Sequence, residues 1–435
     1  MFFIGLFTIL RLGPEVFASA IRAAGVLYWT VALASRDWSE PIILSQTVSI
    51  SSLALLMVIL LLTNFFCCVL AAPTIRTAPL KRLNLVLFFL TAACYNFFFT
   101  RSLIRMFIYF ELSLVPIFLI VMGWGYQRER VKAGLALFIY TRVGAAPLLI
   151  VILTFRRTGS RGLLRVANER GVTLSKIIFW PMFAFLIKLP LAGAHIWLPK
   201  AHVEAPVVGS IFLAAVLLKL GGWGLVVFNR LLEHSVLSQL LLALSMLGIL
   251  WISVICCQTV DSKTLIAFSS VTHIRIITIG AVVGSFVRIN AGFLVLLSHG
   301  FSSSVAFLLV FYMYKSQNRR RLVLSKSMLS SCGTLNIVWV FVVLALIGCP
   351  PSFNLWVEIM CYYFFAALDP VIRKTFFVAA LLGGVYGFLL LGKALSGADL
   401  NFKHPKEESQ LELIQASYRA GLTISISIRL SLVIF

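Results

Sequence analysis

Apolar runs long enough to cross a bilayer recur along almost the whole chain and leave little else to fold. They cover approximately residues 1–10, 18–34, 43–71, 83–99, 103–123, 133–154, 175–197, 205–228, 236–257, 262–284, 289–314, 332–366, 374–396 and 420–435. A membrane helix needs about 20 apolar residues to span the hydrocarbon core. Lipid offers no partner for backbone polar groups, so long apolar runs satisfy them internally as helices. The chain is 60% hydrophobic and 12% charged, where a soluble domain carries about 25% charged residues. The expectation is an all-α polytopic membrane protein with about 14 transmembrane helices and short loops. No stretch is long and polar enough to build a soluble domain.

The 37 Lys and Arg outnumber the 15 Asp and Glu, giving a net charge of +22. In a polytopic protein this excess belongs to loops, where it sets orientation and meets anionic lipid. The basic residues sit in short loops between spans, so no nucleic-acid partner is expected. Loops 72–82, 124–132, 315–326 and 399–412 would share one side, and the first three are rich in Lys and Arg. Loop 155–174 would fall on the other side, yet it carries Arg156, Arg157, Arg161, Arg165 and Arg170. No cleavable leader is evident at the start, where Met1–Leu10 reads as a short first span.

The eight cysteines lack any C-x-x-C spacing, which argues against iron–sulfur ligation. There is no G-x-G-x-x-G for a dinucleotide. Gly387-Phe-Leu-Leu-Leu-Gly-Lys-Ala394 approaches a phosphate-binding loop, but it ends in Ala and lies in an apolar run with no preceding strand.

Ionisable residues inside the apolar runs are the informative ones. A charge at the centre of a membrane helix costs about 2.5–3.5 kcal/mol on insertion scales, so it usually faces protein or water. Lys188 lies two residues before Pro190, and proline kinks or breaks helices. Lys219 follows the apolar run Ile211 to Leu218. Either lysine also fits a side chain snorkelling from a helix end. Glu111, Glu358 and His299 are likewise surrounded by apolar residues. The 332–366 run is too long for one span and contains Cys349-Pro350-Pro351, so it reads as a second broken helix. Each break thus has an ionisable neighbour, Lys188 or Glu358, as in transporter-type ion sites.

Burial and opposite charges act against each other on proton affinity, so a buried Glu–Lys pair can change protonation as it opens and closes. The same pairs could also be static links between helices. His195, His202 and His273 are relay or gate candidates, because histidine titrates near neutrality. Each could equally be a hydrogen-bonded interior histidine. His195 and His202 are two helical turns apart, but Pro199 interrupts the face they would share.

Several stretches together resemble the chain 4 family of antiporter-like membrane subunits of respiratory NADH:ubiquinone oxidoreductase (complex I). They are Phe110-Glu111-Leu-Ser-Leu-Val-Pro116, Trp124-Gly125 with Glu129-Arg130, Lys188-Leu-Pro190 and Leu198-Pro-Lys-Ala-His-Val-Glu-Ala-Pro206. Leu217-Leu-Lys-Leu-Gly-Gly222, Asp261 with Lys263, Ala267-Phe-Ser-Ser270 with His273, Ser298-His-Gly300 and Pro350-Pro351 with Glu358 complete the set. The likeness covers roughly residues 100–395.

The resemblance implies fourteen helices with two inverted five-helix repeats and two broken helices. It divides the chain into N-terminal helices at 1–100, an antiporter-like core at 101–395 and a terminal loop and helix at 396–435. Glu111 and Lys188 would be the coupling pair, Lys219 the central relay, His299 the onward carrier and Glu358 the terminal group. No cofactor and no metal is expected in this chain, with NADH, flavin, iron–sulfur clusters and ubiquinone bound by other subunits. The expected partners are the other membrane subunits and phospholipid, anionic lipid included, in the mitochondrial inner membrane. A stand-alone cation/proton antiporter and a passive membrane spacer are the rival readings. Arg142 and Arg275 depart from the family, which usually has uncharged residues there, and so does the basic 155–174 loop.

Overall fold

The computed structural model describes residues 42–45, 48–50, 52–72, 80–100, 102–157, 182–191, 193–228, 236–283, 286–317, 333–350, 352–366 and 370–395. The first two apolar runs, most of the 155–174 loop and everything after residue 395 lie outside them. The chain divides into two compact units, Met1–Pro116 and Ile117–Phe435.

In the first unit, β1 (Ile42–Ser45) pairs antiparallel with β2 (Val48–Ile50), with a bulge between Ile43 and Ser45. This corrects the third expected span. Ile42–Ser45 and Val48–Ile50 are strands, and α1 begins only at Ser52 and runs to Ala71. The reason is local: Ile42-Ile43 and Val48-Ser-Ile50 are rich in β-branched residues, which favours paired strands. The helix that remains is about a span long without them. α2 (Leu80–Phe99) packs on α1, and Phe97 meets Phe110 of α3 (Leu103–Leu112) with ring centroids 6.0 Å apart. Ser113 ends α3, its hydroxyl donating to the Phe110 carbonyl at 2.7 Å. α4 (Leu114–Trp124) follows directly and continues into the second unit.

In the second unit α5 (Arg130–Arg157) is followed by α6 (182–188), α7 (Trp197–Glu204), α8 (Val207–Phe228) and α9 (Val236–Gln258). Next come α10 (Ser262–Val283), α11 (Phe286–Gln317), α12 (Gly333–Ile347), α13 (Phe353–Ala366) and α14 (Pro370–Leu395). Among the described residues, eight helices are long and apolar enough to cross a membrane. α8, α10 and α11 form the interior of this unit, with 83–89% of each span buried. α14 is the opposite case: 22% of its span is buried and its outer face is a row of Phe, Leu and Val fit for lipid. Helices apolar on every side are what a membrane interior requires.

Both expected broken helices are present. α6 stops at Lys188 and α7 starts at Trp197, with Gly193 at φ +92° between them. α12 stops at Ile347 and α13 starts at Phe353, with Gly348 at φ +80°. Positive φ costs an L-residue with a Cβ about 1–2 kcal/mol, which is why glycine occupies these positions. After each helix end a backbone N–H reaches five residues back: Leu191 to Leu186 at 3.4 Å and Cys349 to Leu344 at 2.9 Å. With Gly348 left-handed and Cys349 bonded to Leu344, the second break is a Schellman ending closed by Pro350.

Candidate functional site

The first break leaves carbonyls without helical partners, and side chains from elsewhere take them. The Trp197 indole donates to the Ile187 carbonyl at 3.4 Å, and the Arg275 guanidinium to the Pro190 carbonyl at 3.3 Å. Pro199 falls in the first turn of α7, where its missing N–H has no helical acceptor to lose. His195 lies before that helix and His202 within it, so the two share no continuous helical face. Pro206 ends α7 by holding Ala205 extended at ψ 145°. The nine-residue motif Leu198–Pro206 is therefore a short helix with a proline at each end.

Lys188 is buried at the last turn of α6. α8 lies directly against it. A Cβ at Gly221 would sit 3.2 Å from Lys188 Cβ, and one at Gly224 would stand 2.1 Å from the Phe185 ring. Glycines in Leu217-Leu-Lys-Leu-Gly-Gly-Trp-Gly224 thus bring the helix carrying Lys219 onto the half-helix carrying Lys188.

Lys219 is completely buried. Before it, Leu213–Leu217 form a turn of π-helix, and the Lys219 ammonium folds back to the Ala214 carbonyl at 2.5 Å. Insertions of this kind recur at functional sites because they re-aim side chains and loosen the carbonyl ladder. Nothing in the hydrophobic pattern signals it. The nearest sequence sign is the small pair Ala214-Ala215 one turn before the lysine.

Beyond Lys219 the interior holds a file of ionisable groups. His202, Lys219 and His273 lie within electrostatic reach of His299. The His273 and His299 rings stack with centroids 4.9 Å apart and planes 20° apart. His273 Nδ1 stands 3.4 Å from Glu358 Oε1, within ion-pair range but without hydrogen-bond alignment. Glu358 rises from α13 and folds back on the second break, where a Cβ on Gly348 would meet its Oε2 at 2.5 Å. A cavity of about 100 Å³ adjoins this cluster, lined by Thr272, His273, Glu358 and Tyr386 among others. A water occupies about 30 Å³ in the liquid, so the space suits a few. Both nitrogens of His202 and of His299 are buried without a hydrogen-bond partner. His202 stacks on Phe307 at 4.7 Å with planes 2° apart.

The other predicted residues fall elsewhere. Glu111 is buried in the first unit, near the end of α3. Lys263, noted in the sequence only as part of a motif, is buried and donates to the Val203 and Ala205 carbonyls at the end of α7, at 3.4 and 3.3 Å. Arg275 turns inward and is wholly buried. Arg142 does not: it lies on the outer face of α5, with its guanidinium 5.1 Å from the centre of the Phe138 ring. Among the described residues no three His, Cys, Asp or Glu side chains come together as metal ligands.

Residues 100–383 match the family described as NADH:quinone oxidoreductase/Mrp antiporter, TM. The chain belongs to this family of transmembrane proteins. Proteins named NADH-ubiquinone oxidoreductase chain 4 are similar to it in sequence. That of Artemia franciscana is 36% identical over 306 residues, covering 70% of this chain and 78% of its own. That of Branchiostoma lanceolatum is 34% identical over 324 residues, covering 73% and 72%. In fold, a chain of respiratory complex I from Thermus thermophilus aligns at TM-score 0.77 with 18% identity, over 98% of this chain and 96% of that one. A chain of an archaeal membrane-bound sulfane sulfur reductase aligns at TM-score 0.82 with 15% identity, over 99% and 94%. The fold alignments cover nearly the whole chain, whereas the family match is confined to residues 100–383.

Proposed function

We propose that this chain is a core membrane subunit of respiratory complex I that carries protons across the bilayer as electrons pass from NADH to ubiquinone. One observation carries the reading. Ionisable groups buried in a membrane interior run from Lys188 at the first broken helix to Glu358 at the second, by way of Lys219, His299 and His273. Buried ionisable groups are costly in a membrane and are kept where they serve ion or proton movement. The similarity to NADH-ubiquinone oxidoreductase chain 4 supports placing this relay in complex I rather than elsewhere.

In this scheme Glu111 and Lys188 are the coupling pair. A change in the field at Glu111 alters how tightly Lys188 holds its proton. The proton then passes to Lys219, whose ammonium alternates between the Ala214 carbonyl and the histidine cluster. His299 hands it to His273, and His273 to Glu358 and the adjoining cavity. His202 and His195 border the path as gate residues. Relative to the sequence reading, the addition is His273 as the contact between His299 and Glu358. His273→Ala should slow proton transfer by about a hundredfold, the usual loss when a positioned proton carrier is removed. Proton uptake by vesicles per NADH oxidised would measure it.

The chain holds no redox centre in this proposal. NADH, flavin, iron–sulfur clusters and ubiquinone are bound by other subunits, as the missing nucleotide and cysteine motifs suggest. Its partners are the neighbouring membrane subunits and anionic phospholipid of the mitochondrial inner membrane, and no nucleic acid. A stand-alone cation/proton antiporter is the second reading, because the family includes Mrp antiporters. Native electrophoresis of mildly solubilised membranes separates them. Co-migration with a very large NADH-oxidising band is expected. Migration as a small species without that activity would favour the antiporter.

A further inference from the structure

Arg275 is a buried cost that the relay does not explain. Its side chain is fully buried. Of its nitrogens, Nη2 meets the Pro190 carbonyl at 3.3 Å, while Nε and Nη1 are buried without a hydrogen-bond partner. A buried guanidinium with unsatisfied donors is unfavourable unless its placement does something else. The structure also makes room for it. A Cβ built on Gly248 of α9 would lie 1.1 Å from Arg275 Nη1, so the guanidinium occupies the space a side chain at 248 would fill. The arginine thus runs from α10, through a slot in the face of α9, to the break beside Lys188.

Its helix holds the same segment at a second point. Lys263, three turns earlier and about 18 Å away along α10, donates to the Val203 and Ala205 carbonyls at the far end of α7. Between these two points Phe268 of α10 lies beside His195, with ring centroids 6.4 Å apart. Residues 190–205 are therefore held to α10 by a cation at each end. The same helix carries His273 two residues before Arg275, in contact with His299 and Glu358.

We propose that Arg275, seated in the Gly248 slot, is a positioning residue that clamps the Pro190 carbonyl and joins the α7 half of the first broken helix to the helix bearing His273. With that half held, any movement at the break falls on the α6 side, where Lys188 ends the helix. Arg275 touches no proton in transit; it sets the frame against which Lys188 moves. The clamp stands on geometry alone, whereas its part in pumping rests on the proposed function above.

The test uses the intact membrane complex that contains the chain, carrying Arg275→Leu, Gly248→Ala, or both. Arg275→Leu replaces an incompletely satisfied buried charge by an apolar side chain, so assembly should survive. Gly248→Ala keeps the charge but denies the guanidinium its seat, so it tests placement separately. Hydrogen exchange in the peptide covering Leu191 to Ile196 should accelerate about tenfold or more in each single variant. The double variant should match the faster single one, because both remove one contact. Unchanged exchange in both singles, or additive acceleration in the double, would overturn the clamp.

The second readout is proton uptake per electron in assembled complex, which should fall at least about twofold in both variants. Faster exchange with unaltered stoichiometry would overturn the role in pumping and leave a purely structural tie. A wild-type assembly that oxidises no NADH would sink the complex I reading, and the exchange experiment would still decide the clamp.

Discussion

Lys219→Met is expected to stop proton transfer through this chain while leaving its assembly intact. The Lys219 side chain is fully buried and its ammonium is turned back on the Ala214 carbonyl of the π-turn. Methionine nearly matches its length and removes the cost of burying a charge, so the helix and its glycine contacts with α6 should persist. What is lost is the group at the centre of the file between Lys188 and His299. Loss of a positioned proton carrier lowers transfer by about 10²–10⁴-fold. The measurement is NADH-driven proton uptake in vesicles, read beside native-gel migration of the complex. Normal uptake with normal assembly would make the buried lysine a passive element and favour the spacer reading.

Gly348→Ala should be far more damaging than Gly193→Ala, although both glycines have positive φ. At Gly193 an added Cβ meets nothing within 4 Å, so the change costs only the backbone preference, about 1–2 kcal/mol. At Gly348 the Cβ would lie 2.5 Å from Glu358 Oε2. Strain of the overpacking kind adds about 1–3 kcal/mol, and its relief pushes the carboxylate away from His273. Thermal stability of the purified complex should fall more for Gly348→Ala, and proton uptake should fall with it. Equal effects of the two substitutions would show that Glu358 does not depend on the break for its position.

The contrast between Arg142 and Arg275 marks where sequence reasoning ends. Each is an arginine in an apolar run, and each carries the same insertion cost. One lies on the outer face beside an aromatic ring, and the other threads the interior to a helix break. The difference depends on neighbours from other helices: an empty position at Gly248 and a free carbonyl at Pro190. The π-turn before Lys219 and the stacking of His273 on His299 are equally non-local. So is the capping of α7 by Lys263, sixty residues beyond the Val203 carbonyl.

What the amino-acid sequence determined by itself was everything that depends on local hydrophobicity and local backbone chemistry. Lipid requires helices, so the apolar runs placed the spans. Proline placed both breaks, and costly ionisable residues marked the candidates for the interior. The strands Ile42–Ser45 and Val48–Ile50 escaped this reading because β-branched residues look alike in a span and in a strand. Tertiary structure alone decided which buried groups touch, which carbonyls the breaks leave for distant donors, and which of two arginines turns inward. Those outcomes are fixed by packing between helices far apart in the chain, and no window of sequence contains both partners.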